Sequence, residues 1–164
     1  MKALGVVGYS GSGKTTLLCA LIPLLHGYGL KVAVVKSTHH DVDWDAPGKD
    51  SYRLREAGAD AVLLQGPKRW FMTRPAPTEV SLETIRASLQ PLPDLLLMEG
   101  NKALAVPKIE VHRRGLGRPL LAPDDPCIMA VATDCLLDIP CVQLDLNTPS
   151  VIAQFIRQWI KKED

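Results

Sequence analysis

Gly8-Tyr9-Ser10-Gly11-Ser12-Gly13-Lys14-Thr15 satisfies the pattern G-x-x-x-x-G-K-[ST] at every defined position. Before it, residues 4–9 form a short apolar run ending in glycine; after it, residues 15–26 have helical length and leucine spacing. A strand, a glycine-rich turn and a helix in that order make a phosphate-cradling P-loop. Its glycines allow positive φ and close approach of backbone to phosphate, and the helix start adds unpaired N–H groups and the positive end of the dipole. Gly8, Ser10, Gly11, Ser12, Gly13, Lys14, Thr15 and Thr16 are therefore the expected nucleotide-binding residues. Lys14 would reach the β- and γ-phosphates as a point charge, the Thr15 hydroxyl would bind Mg²⁺, and Thr16 would assist at the α-phosphate. An accidental Lys-Thr after a glycine turn is the plain alternative, and the agreement of pattern with setting weighs against it.

Working outward, Gly27 and Gly29 stop the first helix, and residues 31–37 read as a second strand that completes a right-handed βαβ unit. Residues 38–49 are a polar loop carrying His39, His40, Asp41, Asp43, Asp45, Pro47 and Gly48. A short helix is expected over 51–57, and strands over 61–65 and 70–73 flank Gly66-Pro67. A helix over 78–89 is closed by Pro91 and Pro93. Residues 95–98, 107–112, 128–133 and 141–146 read as further strands, and 150–159 as a closing helix with Val151, Ile152, Phe155, Ile156 and Trp159 on its apolar side. The alternation predicts an α/β P-loop NTPase fold in one domain over residues 1–164. Its sheet is mostly parallel, with helices on both faces and additional antiparallel strands in the middle of the chain.

Composition narrows the function classes. A chain of 164 residues suits one domain, and 46% hydrophobic with 23% charged residues is an ordinary globular balance. A net charge of +1 makes no broad field for nucleic acid or an anionic membrane. The apolar runs are too short or too interrupted for a bilayer of roughly 30 Å. The N-terminus runs straight into a strand without the layout of a signal peptide, so a cytoplasmic protein is expected. Cys19, Cys127, Cys135 and Cys141 lack zinc-ligand spacing and are expected to be buried free thiols.

A P-loop protein needs an acidic group at the end of a neighbouring strand to serve Mg²⁺. Glu99 ends the apolar strand that starts after Asp94, and Gly100 lets the chain turn beside the phosphates, so Glu99 is the metal-site candidate. An exposed strand-end carboxylate is the alternative. Lys14, Asp41 and Asp43 are the candidate catalytic groups, the aspartates as orienters of water on a loop that follows the second strand. Adjacent histidines do not point to one metal site, so His39 and His40 are read as contacts to substrate or γ-phosphate, or as an ordinary polar loop.

The segments GYSGSGKTTLL at 8–18, KSTHHDVDWDAPGKDSYRLREAGA at 36–59 and LLLMEGNK at 95–102 together resemble the MobB family of molybdopterin-guanine dinucleotide biosynthesis proteins. The specific part is the middle one: His39-His40-Asp41, Pro47-Gly48-Lys49-Asp50-Ser51 and the Arg53–Arg55 pair are not general P-loop features. The resemblance implies a homodimeric GTP-binding accessory protein of molybdenum cofactor maturation with slow, Mg²⁺-dependent GTP hydrolysis. It would assist the enzyme that attaches GMP to molybdopterin, and molybdopterin itself is a candidate ligand. It also implies that His39, His40, Lys49, Asp50, Ser51 and Arg53 face the ligand or partner, although a charged short helix can equally be a solvated face.

The P-loop reads phosphate, not base, and Asn101-Lys102 does not continue into the NKxD base-reading motif. Asp134, at the end of a late strand, could accept hydrogen bonds from guanine N1–H and its amino group, or it could be a turn residue. Two rival functions use the same P-loop: a small-molecule or nucleoside kinase, and a nucleotide-responsive adaptor without significant turnover. Arg69, Arg74, Arg113, Arg114 and Arg118 are too scattered to mark a kinase lid. For dimerisation, residues 67–73 and the strand at 107–113 are the candidate contact elements.

Overall fold

The computed structural model describes residues 1–38, 40, 42, 45–76 and 80–162. The chain divides into two compact units, Met1–Thr38 with Gln90–Asp164, and His39–Leu89.

The first unit is built on a six-stranded sheet. Its strands are β1 (Lys2–Val7), β2 (Val32–Lys36), β5 (Leu95–Glu99), β6 (Lys108–His112), β7 (Ile128–Thr133) and β8 (Val142–Asp145), in the order β2-β5-β1-β6-β7-β8. Every neighbouring pair is parallel. Because side chains alternate across a strand, Leu4 and Val6, Leu95 and Leu97, Ile109 and Val111, and Ala130 and Ala132 share one face. The helices α1 (Lys14–Gly27) and α4 (Pro149–Lys162) cover it with Leu17, Leu21, Leu25, Ile152, Ala153 and Ile156. Val151, read as part of the apolar stripe of α4, is 44% exposed, and the buried stripe is Ile152, Ala153 and Ile156.

The opposite face holds Val7 and Val131 under Leu120, Leu121, Ala122, Leu137 and Ile139. It also carries two charged residues of β6. Lys108 is 3% exposed in its side chain and bonds Asp125 Oδ2 and the Lys102 carbonyl, both at 2.7 Å. Gly5 makes room for it, since a Cβ there would lie 2.9 Å from Lys108 Cγ. Glu110 accepts the N–H of Leu121 on both oxygens, at 2.9 and 3.0 Å, and that of Ala122 at 2.9 Å. The expected contact strand at 107–113 is thus an interior strand hydrogen-bonded on both sides to β1 and β7, which removes it as a sheet-edge dimer contact.

The second unit contains α2 (Asp50–Glu56), the antiparallel hairpin of β3 (Val62–Gln65) and β4 (Trp70–Thr73), and α3 (Leu82–Ser88). The hairpin is closed by the Gly66 N–H on the Arg69 carbonyl at 2.8 Å. Ser81 caps α3 by accepting the Thr84 N–H, so this helix starts later than the sequence pattern predicts. The four cysteines are free, but Cys19 is exposed and the others are half-buried, against the expectation of buried thiols. No helix among the described residues is long and apolar enough to cross a membrane.

Candidate nucleotide-binding site

The loop between β1 and α1 takes up positive φ at Gly8 (+145°), Gly11 (+81°) and Gly13 (+96°). At Gly8 space adds to conformation: a Cβ would lie 2.5 Å from the Val111 carbonyl oxygen and 2.8 Å from Ser12 Oγ. Gly13 is the left-handed residue from which α1 starts. Ser10, Gly11, Thr15 and Thr16 are exposed along the loop mouth. Ser12 is buried, and its Oγ has no hydrogen-bond partner among the described residues.

Lys14 Nζ donates to the carbonyl oxygens of Gly8 at 3.1 Å and Tyr9 at 2.9 Å. Burial pushes its ammonium below the ordinary lysine value; Glu99 pulls it back up, and Lys102 and Lys36 lower it further. Glu99 is buried at the end of β5, in register with Val6 of β1 and Lys36 of β2. Its Oε1 accepts the Thr15 hydroxyl at 2.7 Å and faces Lys36 Nζ at 3.5 Å. This excludes the reading of Glu99 as an exposed strand-end carboxylate. Gly100 and Asn101 then turn the chain away with φ of +87° and +46°.

A hydroxyl and one carboxylate, both hard oxygen donors, are what Mg²⁺ takes from a protein when phosphates and water complete its shell. Thr15 and Glu99 therefore fit that ion. Among the described residues no group of three or more His, Cys, Asp or Glu could form a separate metal centre.

Arg113, read from sequence as one of several scattered cations, belongs to this site. It follows β6, donates from Nε to the Ser12 carbonyl at 3.2 Å, and pairs through Nη1 with Asp134 Oδ2 at 3.6 Å. Asp134 Oδ1 accepts the Arg114 N–H at 3.0 Å, so both of its oxygens are engaged on the strap after β6. With Gly13, Thr16, Leu146 and Pro149, Arg113 lines a recess of about 70 Å³ beside the start of α1. On the other flank Lys102 and Arg118 lie 4.2 and 5.6 Å from the Tyr9 ring centroid. The signal for Arg113 is the placement of β6 next to β1, which local sequence does not encode.

The remaining sequence candidates lie in the second unit. His39, Asp41 and Asp43 fall outside the described residues, and His40 is exposed. Asp50 and Arg53 form an exposed pair at 4.0 Å, and Lys49 precedes them as the residue before α2. Ser51 Oγ donates to Asp45 Oδ1 at 2.9 Å.

Comparisons with known proteins agree with this architecture. Residues 3–134 match the family model of MobB, molybdopterin guanine dinucleotide synthesis protein B. A molybdopterin-guanine dinucleotide biosynthesis adapter protein of Haemophilus influenzae is 43% identical over 158 residues, covering 96% of this chain and 88% of the relative. One of Escherichia coli is 39% identical over 166 residues, covering 98% and 94%. A crystal structure of molybdopterin-guanine biosynthesis protein B superposes with a TM-score of 0.77 at 29% identity, covering 98% of this chain and 99% of that one. A MobB homolog from Bacillus stearothermophilus shares the fold at 23% identity and a TM-score of 0.69, covering 98% and 99%. With a family match over most of its length and relatives this similar, the chain belongs to the MobB family.

Proposed function

We propose that this protein holds Mg²⁺–GTP on its P-loop and acts as an adapter in molybdopterin guanine dinucleotide biosynthesis, assisting the enzyme that attaches GMP to molybdopterin and hydrolysing GTP slowly. The pathway role is supported by the adapter relatives of Haemophilus influenzae and Escherichia coli. The nucleotide reading is carried by one observation: the Thr15 hydroxyl and the Glu99 carboxylate meet at 2.7 Å at the mouth of a P-loop.

In this reading Lys14 leaves the Gly8 and Tyr9 carbonyls for the β- and γ-phosphates, and the N–H groups of the loop and of the first turn of α1 hold the phosphate oxygens. Thr15 and Glu99 would hold Mg²⁺, which would supply charge neutralisation to the phosphates. Asp134 reads guanine: each carboxylate oxygen has two acceptor sites, so engagement with Arg113 and Arg114 leaves one on each for N1–H and the amino group. Replacing Asp134 with asparagine should then reduce the preference for GTP over ATP, and an unchanged preference rejects that role. A homodimer is part of the same reading, with residues 67–73 as its contact element, since Trp70, Phe71 and Met72 are exposed.

The test is phosphate release from GTP, with and without molybdopterin and its guanylyltransferase. Release stimulated by the partner is expected. Transfer of the γ-phosphate to an acceptor would identify a kinase instead, and GTP binding without release would leave an adapter that does not turn over.

A further inference from the structure

The recess of about 70 Å³ beside α1 changes character along its length. Gly13, Thr16, Leu17 and Ala20 line it at the three- and four-residue spacing of one helix face, so it runs from a polar first turn to hydrocarbon deeper along the helix. Arg113 stands at the polar end: a Cβ at Gly13 would lie 3.5 Å from its Nε and 3.6 Å from Nη2. That Nε donates to the Ser12 carbonyl at 3.2 Å, while Nη1 faces Asp134 Oδ2 at 3.6 Å, an ionic contact longer than a hydrogen bond. The N–H groups of both terminal nitrogens therefore make no hydrogen bond among the described residues. Beside them α1 starts at Gly13 with no side-chain cap, which leaves its first N–H groups without a helical partner, and the Thr16 hydroxyl is exposed in the same turn. Leu146 and Pro149, from the connection between β8 and α4, complete the apolar part.

Chemistry and position together select the occupant. Guanidinium, helix N–H groups and a hydroxyl offer donors to an anion with several acceptor oxygens. A free inorganic anion would leave the hydrocarbon of Leu17, Ala20, Leu146 and Pro149 unused, and a second anion there would have no partner. A phosphate ester satisfies both parts, its phosphate on Arg113 and its organic group on the hydrocarbon. Position says which phosphate. In the sheet order β5 and β6 lie on opposite sides of β1; Glu99, the partner of Thr15, ends β5, whereas Arg113 follows β6. The metal accompanies the terminal phosphates of a nucleotide. The β6 flank is then left for the phosphate next to the sugar.

We propose that Arg113 is the ligand of the α-phosphate and that the recess beside it receives the ribose, so that Arg113 fixes the direction in which a nucleotide lies on the loop. This rests on the nucleotide reading above. The planar fork of an arginine can hold two oxygens of one phosphate while its Nε stays on Ser12. Asp134, in contact with the same guanidinium, falls at the nucleoside end, where a residue that reads the base has to stand.

The test titrates GTP, GDP and pyrophosphate, each with Mg²⁺, into the full chain and its Arg113→Ala, Ala20→Phe and Lys14→Ala variants by calorimetry. Loss of charge-assisted hydrogen bonds predicts that Arg113→Ala binds GTP and GDP about 10-fold more weakly or worse, by the same factor for both, because the α-phosphate is common to them. Ala20→Phe fills the apolar part of the recess without touching Arg113 or the loop, and should weaken both nucleotides as well. Pyrophosphate has no sugar and no α-phosphate, so its binding should survive in these two variants, which also shows that they fold, and should fall in Lys14→Ala. A loss for GTP that spares GDP would put Arg113 at the γ-phosphate and overturn the assignment. Pyrophosphate weakened as much as GTP by Arg113→Ala would overturn it too, since the residue would then merely hold the loop. Undiminished GTP binding in Ala20→Phe overturns the ribose site. GTP binding that Lys14→Ala weakens and Arg113→Ala does not overturns the role of Arg113 while the nucleotide reading stands; no GTP binding in the wild type overturns both.

Discussion

Glutamine at position 110 would change a single terminal atom of a side chain that is 1% exposed, yet the structure predicts a large effect. The carboxylate accepts three bonds from the backbone, two from Leu121 and one from Ala122, at 2.9 to 3.0 Å. An amide supplies one acceptor oxygen. Whichever way it sits, its NH₂ group meets at least one N–H head-on, and the bonds that remain lose the help of the charge. Hydrogen bonds to charged groups contribute about 1.5–3 kcal/mol each, and an unsatisfied buried donor costs a similar amount. The neutral amide is easier to bury, which offsets part of the loss, so a net destabilisation of about 3 kcal/mol is expected. For a chain of this size each kcal/mol shifts the melting temperature by about 2–4 °C, giving a drop of roughly 6–12 °C in a circular-dichroism melt. Arg113 and Leu116 lie on the strap that ends at these bonds, one on the Ser12 carbonyl and the other 3.7 Å from a Cβ built at Gly11, so GTP affinity should fall as well. An unchanged melting temperature for Glu110→Gln would refute the reasoning, because it would show that the carboxylate does not hold the strap.

Two further outcomes follow from the same geometry. Gly8→Ala places a methyl group 2.5 Å from the Val111 carbonyl oxygen at a φ of +145°, so a loss of about 2 kcal/mol in a denaturant melt is expected, together with weakened GTP binding. Asp125→Asn leaves the buried Lys108 ammonium without its counter-charge and should cost about 3 kcal/mol at neutral pH. Its pH dependence has a definite sign. Burial works to raise the Asp125 pKa, but the Lys108 hydrogen bond and the Cys127 N–H outweigh it and hold the carboxyl below its ordinary value. The resulting stability is present above the ordinary aspartate value and is lost as pH falls through the lowered folded one. Acid melts of the wild type should therefore lose an increment that Asp125→Asn lacks; parallel curves would contradict it.

The parts of this fold that were legible in the sequence are those whose signals are local. β1, the glycine loop and α1 follow one another within a single motif, and Glu99 ends an uninterrupted apolar strand, so both the P-loop and its acidic partner could be located before their 2.7 Å contact was known. The strand β6 is legible as a strand, but its Lys-Ile-Glu-Val alternation does not disclose that both of its faces are buried in the middle of the sheet. Lys108 and Glu110 are satisfied there by Asp125 and by the backbone of residues 121–122, partners that only the folded chain brings near. Arg113 stands in the sequence as one scattered cation among several for the same reason, since strand order puts β6 beside β1 although about a hundred residues separate them. In the second unit the hairpin strands were placed closely, yet the pairing of Val62 with Thr73 and of Leu64 with Phe71 depends on cross-strand register, which the turn at residues 66–69 sets and composition does not.

Calorimetric titration of GTP with Mg²⁺ into the wild type and Lys14→Ala decides whether the P-loop binds a guanine nucleotide. One site per chain is expected in the wild type and, from the loss of charge-assisted bonds to phosphate, about 10- to 100-fold weaker binding in the variant. Equal affinity of the two proteins, or no heat of binding in the wild type at pH 7, would contradict it.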